Sequence, residues 1–235
     1  MKNYLLLLIS LAFLATSCTK DIVTPDPSEL TAYELEVIDY FKEIALGFEF
    51  GGASEITRKW RDTMKIYVGG SPSSDLLNEL EEIRTEINSL VSDGFAMEVV
   101  ADSAQSNFYI FLGSADEYVE RYPSQAGNVT SNWGLFNVFW NGSSEINRGH
   151  MYVDLDRADP PAQRHLLREE LTQSLGLAKD SDRYTESIFQ ASWTTTNEYA
   201  MIDRDLIRLL YHPDMPIGLD EMQTDAVLRD ILSME

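Results

Sequence analysis

The segment from Asp159 to Gly176 constrains the fold most strongly, because it predicts a helix whose two ends and buried face are all defined. Asp159 is a suitable N-cap, two prolines follow in the first helical turn, and Gly176 stands where the helix should end. At about 100° per residue, one face of this helix is apolar and consists of Leu167, Leu171 and Leu175. A polar strip consists of His165, Glu169 and Gln173, with Glu170 beside it. Because Glu169 and Glu170 are adjacent, their side chains are expected to point in different directions.

Hydrophobic periodicity elsewhere in the chain predicts helices and strands in an order typical of an α+β fold. The predicted helical segments are 28–46, 73–91, 114–122, 203–211 and 219–232. The predicted strands are 65–68, 95–100, 107–112, 133–140 and 145–156. The turn Asn141–Ser144 joins the last two strands and predicts a hairpin directly before the helix described above.

Four groups of residues in the second half of the chain form a signature, and they are Arg168–Leu177, Asp180–Ser181, Ser187–Phe189 and Asp203–Pro213. This signature resembles that of an uncharacterised family of exported bacterial proteins, the domain of unknown function 2927. That family is usually grouped with zincin-like metallopeptidases. The resemblance implies one α+β domain over residues 29–235, of zincin-like or metzincin-like type, with a twisted mixed sheet packed on helices. It also implies that the motif helix is followed by a mostly helical C-terminal part.

In a zincin, the corresponding helix carries two zinc-binding histidines and a glutamate that acts as the base. Aligning Glu170 with that base places Glu169 and Gln173 where the histidines would be. The residues implied for the site are Glu170 as the catalytic residue and Glu169, Gln173 and Asp180 as ligands of a divalent metal ion. Zinc prefers imidazole and thiolate, whereas calcium or magnesium accepts oxygen ligands but normally needs more of them. The alternative is a former metal site, now hydrogen-bonded to Arg168, Tyr184 or backbone groups.

Three further residues are candidates for the cleft around the motif helix, and they are His150, His165 and Tyr199. The spacing allows a composite site of His150, His165 and Glu169, and Tyr199 carries a phenol suited to stabilising an oxyanion. The alternative roles are structural, with Tyr199 as a half-buried core residue. The resemblance also implies that the strand before the motif helix, Asn147–Asp154, is an edge strand able to pair with an extended peptide.

The start of the chain predicts export and lipid anchoring. Lys2, an apolar run over 4–14 and the small residues directly before Cys18 predict a lipoprotein signal peptide over residues 1–17. Cys18 is then the lipidated residue, and 18–28 form a polar tether. The alternative is a free cysteine beside an ordinary cleavage site. Because acyl chains would hold the protein on a membrane, the predicted location is the bacterial outer membrane, on its periplasmic or cell-surface side.

The charge balance narrows the classes of partner. With 18 basic and 39 acidic residues, the net charge is −21, which argues against nucleic acid as a partner. Besides general scaffolding in the cell envelope, two functions stay open for the peptidase-like domain. One is a divergent metal-dependent hydrolase that acts on peptides in the cell envelope, with Glu170 activating water. The other is a non-catalytic module that binds a peptide, a glycan or a partner protein, in which Glu170 serves structure.

Overall fold

The computed structural model describes residues 29–235, so the predicted signal peptide, the lipidation site Cys18 and the tether lie outside the described residues. Within this range the chain forms six α-helices and a six-stranded mixed sheet. The helices are α1 (Ala32–Ala45), α2 (Ser74–Leu90), α3 (Ala115–Arg121), α4 (Pro160–Gln173), α5 (Met201–Leu210) and α6 (Glu221–Leu232). The strands are β1 (Lys59–Trp60), β2 (Met64–Gly70), β3 (Met97–Val99), β4 (Phe108–Gly113), β5 (Gly134–Trp140) and β6 (Glu145–Asp154). Between residues 29 and 235, no helix is both long enough and apolar enough to cross a membrane.

The sheet is parallel except for β5. Its order is β1-β6-β4-β2-β3, and β5 pairs antiparallel with β6. β4 and β5 pair with the same residues of β6, Gly149–Val153, so they lie on its two sides. β6 is therefore internal, and the expectation that Asn147–Asp154 forms an edge strand is wrong. The predicted hairpin folds β5 back onto the outer side of β6, which makes β5 the edge.

Local sequence signals set the ends of α4 as expected. The Asp159 side chain accepts a hydrogen bond from the Ala162 N–H at 3.0 Å, and the two prolines occupy the first turn. After the helix, Gly176 has a φ of 118°, and a Cβ there would lie 2.0 Å from the Arg58 carbonyl oxygen. Only glycine combines this backbone conformation with so close an approach, so the predicted turn at Gly176 is confirmed.

The main hydrophobic core lies on one face of the sheet. Alternate residues of β4, Phe108, Ile110 and Leu112, point into it, and α1, α2, α4, α5 and α6 all contribute to the same cluster. The predicted apolar face of α4 is fully buried there. A smaller cluster on the other face is formed with α3 and consists of Phe111, Tyr118, Val129 and Tyr152. The mixed α/β architecture predicted from the sequence is confirmed.

Candidate functional site

A pocket of about 1140 Å³ lies along α4 and β5. α4 contributes His165, Leu166, Glu169, Glu170 and Gln173 to its lining. β5 and its flanks contribute residues 133–138 and 140, and two other segments, 48–53 and 190–193, close its sides. Four carboxyl groups line this space, those of Glu49, Glu169, Glu170 and Asp180, and we call it the carboxyl pocket.

The edge of β5 that faces away from β6 carries unpaired backbone groups. The Asp154 N–H donates to the Trp133 carbonyl at 2.7 Å, so these two residues form a hydrogen-bonded pair. Hydrogen-bonded and non-hydrogen-bonded pairs alternate along an antiparallel ladder, and this one bond therefore identifies the others. The N–H and C=O groups of Gly134, Phe136 and Val138 therefore point away from β6. Within residues 29–235 nothing hydrogen-bonds to them. These three residues also line the carboxyl pocket, so the pocket borders a free strand edge.

Glu170 is buried beside this edge. Its side chain is 8% exposed and makes no hydrogen bond within the described part of the chain. Burial raises the pKa of Glu170 well above its ordinary value, and the charges of Glu169, Asp180 and Glu49 act in the same direction. A Cβ on Gly134 would lie 2.7 Å from its Oε1 atom. The sequence-predicted catalytic residue thus faces the pocket as an unpartnered carboxyl group.

Glu169 lies in the same pocket, one helical turn after His165. The His165 Nε2 atom is 3.3 Å from Glu169 Oε2, and its Nδ1 atom is 2.6 Å from the Thr196 carbonyl oxygen. The carbonyl is an acceptor only, so Nδ1 carries a proton. Burial lowers the pKa of His165, which favours the neutral ring, and burial raises the pKa of Glu169, with Asp180 and Glu49 adding repulsion. Although Glu169 and Glu170 are adjacent in α4, the side chains of both residues reach the carboxyl pocket.

Gln173 and Asp180 also line the carboxyl pocket, and their side chains are hydrogen-bonded to each other. The Gln173 Nε2 atom donates to Asp180 Oδ1 at 2.5 Å. Burial raises the pKa of Asp180 to about 6, the charge of Glu49 adds to this rise, and the bond from Gln173 opposes it. Burial also raises the pKa of Glu49. The pocket therefore holds carboxyl groups that resist ionising together.

The hydrogen-bond donors suggested by the structural alternative, Arg168 and Tyr184, point elsewhere. Arg168 is buried on another side of α4, where it donates to Glu79 at 2.9 Å and to Glu86 at 2.8 Å. The Tyr184 hydroxyl donates to Glu36. Neither residue neutralises the pocket carboxyls, so only the bond between Gln173 and Asp180 matches the hydrogen-bonded group expected for a former metal site.

The donor set does not fit a bound metal ion. Between residues 29 and 235, no three His, Cys, Asp or Glu side chains converge closely enough to hold one. Gln173 turns its amide nitrogen, which is no ligand, toward Asp180, and the Nδ1 atom of His165 is engaged by a carbonyl. Glu169, Gln173 and Asp180 thus line one pocket, and among the described residues they are not part of a cluster of three carboxyl, imidazole or thiol groups.

Two predicted cleft residues lie outside the pocket. The His150 Nδ1 atom is 2.7 Å from the Tyr118 hydroxyl, and its ring stacks 3.8 Å from that of Tyr122, next to the smaller cluster on the opposite face of the sheet. The Tyr199 hydroxyl is 2.6 Å from Thr172 Oγ1 and is buried in the main core. The side-chain alternation along β6 turns His150 away, so His150, His165 and Glu169 do not form a composite site.

The sequence alone did not identify the aromatic rim or Glu49. Trp133 and Trp193 meet edge to face at 5.5 Å beside the pocket, and Trp193 is 61% exposed. Glu49 comes from the segment between α1 and β1. A signal for the rim was present, because exposed aromatic residues next to a predicted strand indicate a binding surface. No local pattern indicated Glu49.

Comparison with known proteins bears on the whole of this site. A search of curated proteins found no similar sequence. A family model described as "Protein of unknown function (DUF2927)" matches residues 34–230, which include every segment that lines the carboxyl pocket. The family suggested by the sequence signature is therefore confirmed. Since the match covers most of its length, the chain belongs to the DUF2927 family of proteins of unknown function.

Proposed function

We propose that this protein binds an extended peptide, which adds as a strand to the free edge of β5 above the carboxyl groups of α4. The observation that carries this proposal is the row of unpaired backbone groups at Gly134, Phe136 and Val138 along a pocket of about 1140 Å³. An open strand edge is a template for strand addition, and proteins normally cover or blunt such edges. Here the edge borders a space large enough for a ligand.

The side chains around the edge suit such a ligand. The Trp133 and Trp193 rings form a rim, and the side chains of Phe136 and Val138 stand on the same face of β5 as the pocket. Aromatic rings contribute large contact areas with little loss of side-chain freedom. Backbone hydrogen bonds would thus supply affinity, and the pocket would select alternate side chains of the peptide.

We infer the cellular setting and the finer fold type from the sequence. An antiparallel edge strand beside a helix with a buried glutamate supports a zincin-like scaffold with a degenerate metal motif. The predicted lipid on Cys18 would hold this domain at the outer membrane. The peptide would then belong to a protein of the cell envelope.

Val138→Pro tests the strand-addition proposal. The proline removes the outward N–H of Val138 and leaves the hydrogen bonds to β6 intact, because an edge strand tolerates proline on its free side. Val138→Ala is the matched control, since it shortens the side chain and keeps the N–H. With fluorescein-labelled β-branched peptides, Val138→Pro should lower the affinity about tenfold relative to Val138→Ala. Equal affinities of the two variants would overturn the proposal.

A second candidate function is hydrolysis of the bound peptide. The observation that favours it is Glu170, a buried carboxyl group with a raised pKa that faces the pocket. Ionised Glu170 would take a proton from an attacking water molecule and pass it to the leaving amine. We propose no metal-dependent step, because the donor set does not fit one. Mass spectrometry of an incubated β-branched peptide without lysine tests this function. Glu170→Gln should abolish its cleavage and leave its pairing with β5 in place, and absence of cleavage by the wild type would exclude hydrolysis.

A further inference from the structure

We propose that the carboxyl pocket selects a lysine side chain of the bound peptide and holds its ammonium group against Glu170, with Glu169 and Asp180 lining the same pocket. This inference rests on the proposed function, because the peptide must pair with β5 to deliver the side chain. It adds the chemical class that the pocket recognises.

The first step is the charge of the pocket. Glu49, Glu169, Glu170 and Asp180 line it together, and within residues 29–235 no Lys or Arg forms an ion pair with any of them. Arg168 pairs with Glu79 and Glu86, and Lys179 pairs with Glu55. The Arg58 guanidinium lies over the pocket-lining rings of Phe48 and Trp140 and donates to Ser54, not to a pocket carboxyl group. An incoming cation would therefore meet carboxyl groups that have no competing Lys or Arg partner within the described residues, although Glu169 contacts His165 and Asp180 accepts a hydrogen bond from Gln173.

The second step is that Glu170 has no hydrogen-bond partner, an observation that does not depend on how many acidic residues lie nearby. Its side chain is more than nine-tenths buried, faces the pocket and accepts no hydrogen bond within the described residues. A buried carboxyl group without a partner costs stability and is rare in folded proteins. A ligand that donates hydrogen bonds to Glu170 would satisfy it, and an ammonium group has three donors.

The third step is reach. A strand added to β5 lies about 4.8 Å away, and side chains opposite one another in neighbouring strands point to the same face. The residue opposite Gly134 would thus project its side chain onto the same face of β5, with its Cβ about 5 Å from the place of a Gly134 Cβ. That place is 2.7 Å from Glu170 Oε1. Because Gly134 has no side chain, β5 itself does not block this path, and the atoms nearest to the place of a Gly134 Cβ belong to Glu170 and Leu166. The four-carbon stem of lysine spans the remaining distance.

The fourth step is the choice of lysine over other side chains. Leu166 and Phe136 line the route and can pack against the methylene stem. The separate carboxyl groups of this pocket suit a compact ammonium group with three donors, whereas the planar fork of arginine suits a single carboxylate. Aspartate and glutamate side chains would be repelled by like charge.

The experiment compares three fluorescein-labelled peptides, Thr-Val-Thr-Xaa-Val-Thr-Val, in which Xaa is lysine, N-acetyl-lysine or norleucine. The whole protein, kept in detergent, is titrated with each peptide, and binding is followed by fluorescence anisotropy. We expect the lysine peptide to bind at least tenfold more tightly than the acetyl-lysine peptide. In the double variant Glu169→Gln with Glu170→Gln, this preference should disappear while the norleucine peptide still binds.

The matched control replaces two exposed glutamates outside the pocket, Glu82→Gln with Glu120→Gln, which changes the net charge equally. This control should keep the preference for lysine. Equal binding of the lysine and acetyl-lysine peptides, with both weakened by Val138→Pro, would overturn the lysine selection and leave peptide binding intact. If none of the peptides binds, the proposed function itself fails. Spermidine that binds as tightly as the lysine peptide, with no effect of Val138→Pro, would also overturn the inference, because the cation would then be a free amine.

Discussion

The Glu170 carboxyl group occupies the space beside Gly134 that any other residue's side chain would need. A Cβ on Gly134 would lie 2.7 Å from Glu170 Oε1 and 3.0 Å from its Cγ atom. β5 and α4 therefore meet at a point where β5 has a glycine, Gly134, and α4 has the unpartnered carboxyl group of Glu170.

Gly134→Ala should disturb this junction without unfolding the protein. The new methyl group displaces the flexible end of Glu170, and we expect a cost of about 1–3 kcal/mol in the free energy of unfolding. Affinity for the lysine peptide should fall more than fivefold. Gly127→Ala is the control, because nothing lies within 4 Å of a Cβ at that position. Urea unfolding and anisotropy measure the two effects, and unchanged peptide affinity in Gly134→Ala would argue against the lysine path.

Glu170→Gln should stabilise the protein at pH 8. The pKa of Glu170 is raised by folding, so the folded state holds a proton that the unfolded state releases, and stability is lost as the pH rises through the folded pKa. A neutral amide avoids burying an unpartnered charge, which corresponds to about 1–3 kcal/mol. Urea unfolding at pH 5 and pH 8 should show a larger advantage of the variant at pH 8. A variant less stable than the wild type at pH 8 would mean that the ionised carboxyl group makes a stabilising contact.

Arg168→Met should destabilise the protein strongly. Arg168 is 4% exposed and pairs with buried Glu79, so its removal leaves a buried charge without a partner. The expected loss is about 3–5 kcal/mol. Arg84→Met removes the ion pair with the exposed residue Glu81 and should cost only about 0–1 kcal/mol. Similar losses for both variants in urea unfolding would contradict the structural role of Arg168.

Removal of divalent metal should leave the protein unchanged. Because the pocket donors do not converge as metal ligands, we expect the same melting temperature and the same peptide affinity with and without a chelator. Elemental analysis of protein purified without chelator or His tag checks the content directly. Near-stoichiometric metal that is lost in Glu169→Ala would contradict this expectation and revive the metal-dependent hydrolase.

The order of elements could be predicted from the sequence because each depends on local signals. The predicted cap at Asp159 and the predicted turn at Asn141–Ser144 depend on nearby residues, and the structure confirms them. In the structure, Thr31 and Ser114 cap α1 and α3 in the same local way. β1 was not predicted, since a two-residue strand leaves no periodic pattern.

The position of a strand within the sheet is not a local property. The hairpin of β5 and β6 was predicted, yet which of the two lies inside depends on pairing with β4, whose residues are some forty positions away in the chain. The same limit applies to the candidate site. Helical spacing in the sequence predicts that His165, Glu169, Glu170 and Gln173 lie close together. By contrast, the position of His150 on the opposite face of the sheet and the position of Glu49 in the pocket depend on the tertiary fold.

The free edge of β5 also bears on self-association. An open strand edge can pair with the same edge of a second copy of the chain, and such pairing leads to dimers or aggregates. Two copies joined along β5 would bring together two carboxyl pockets, each lined by four acidic residues. We expect the repulsion between the two pockets to disfavour pairing of two copies along β5.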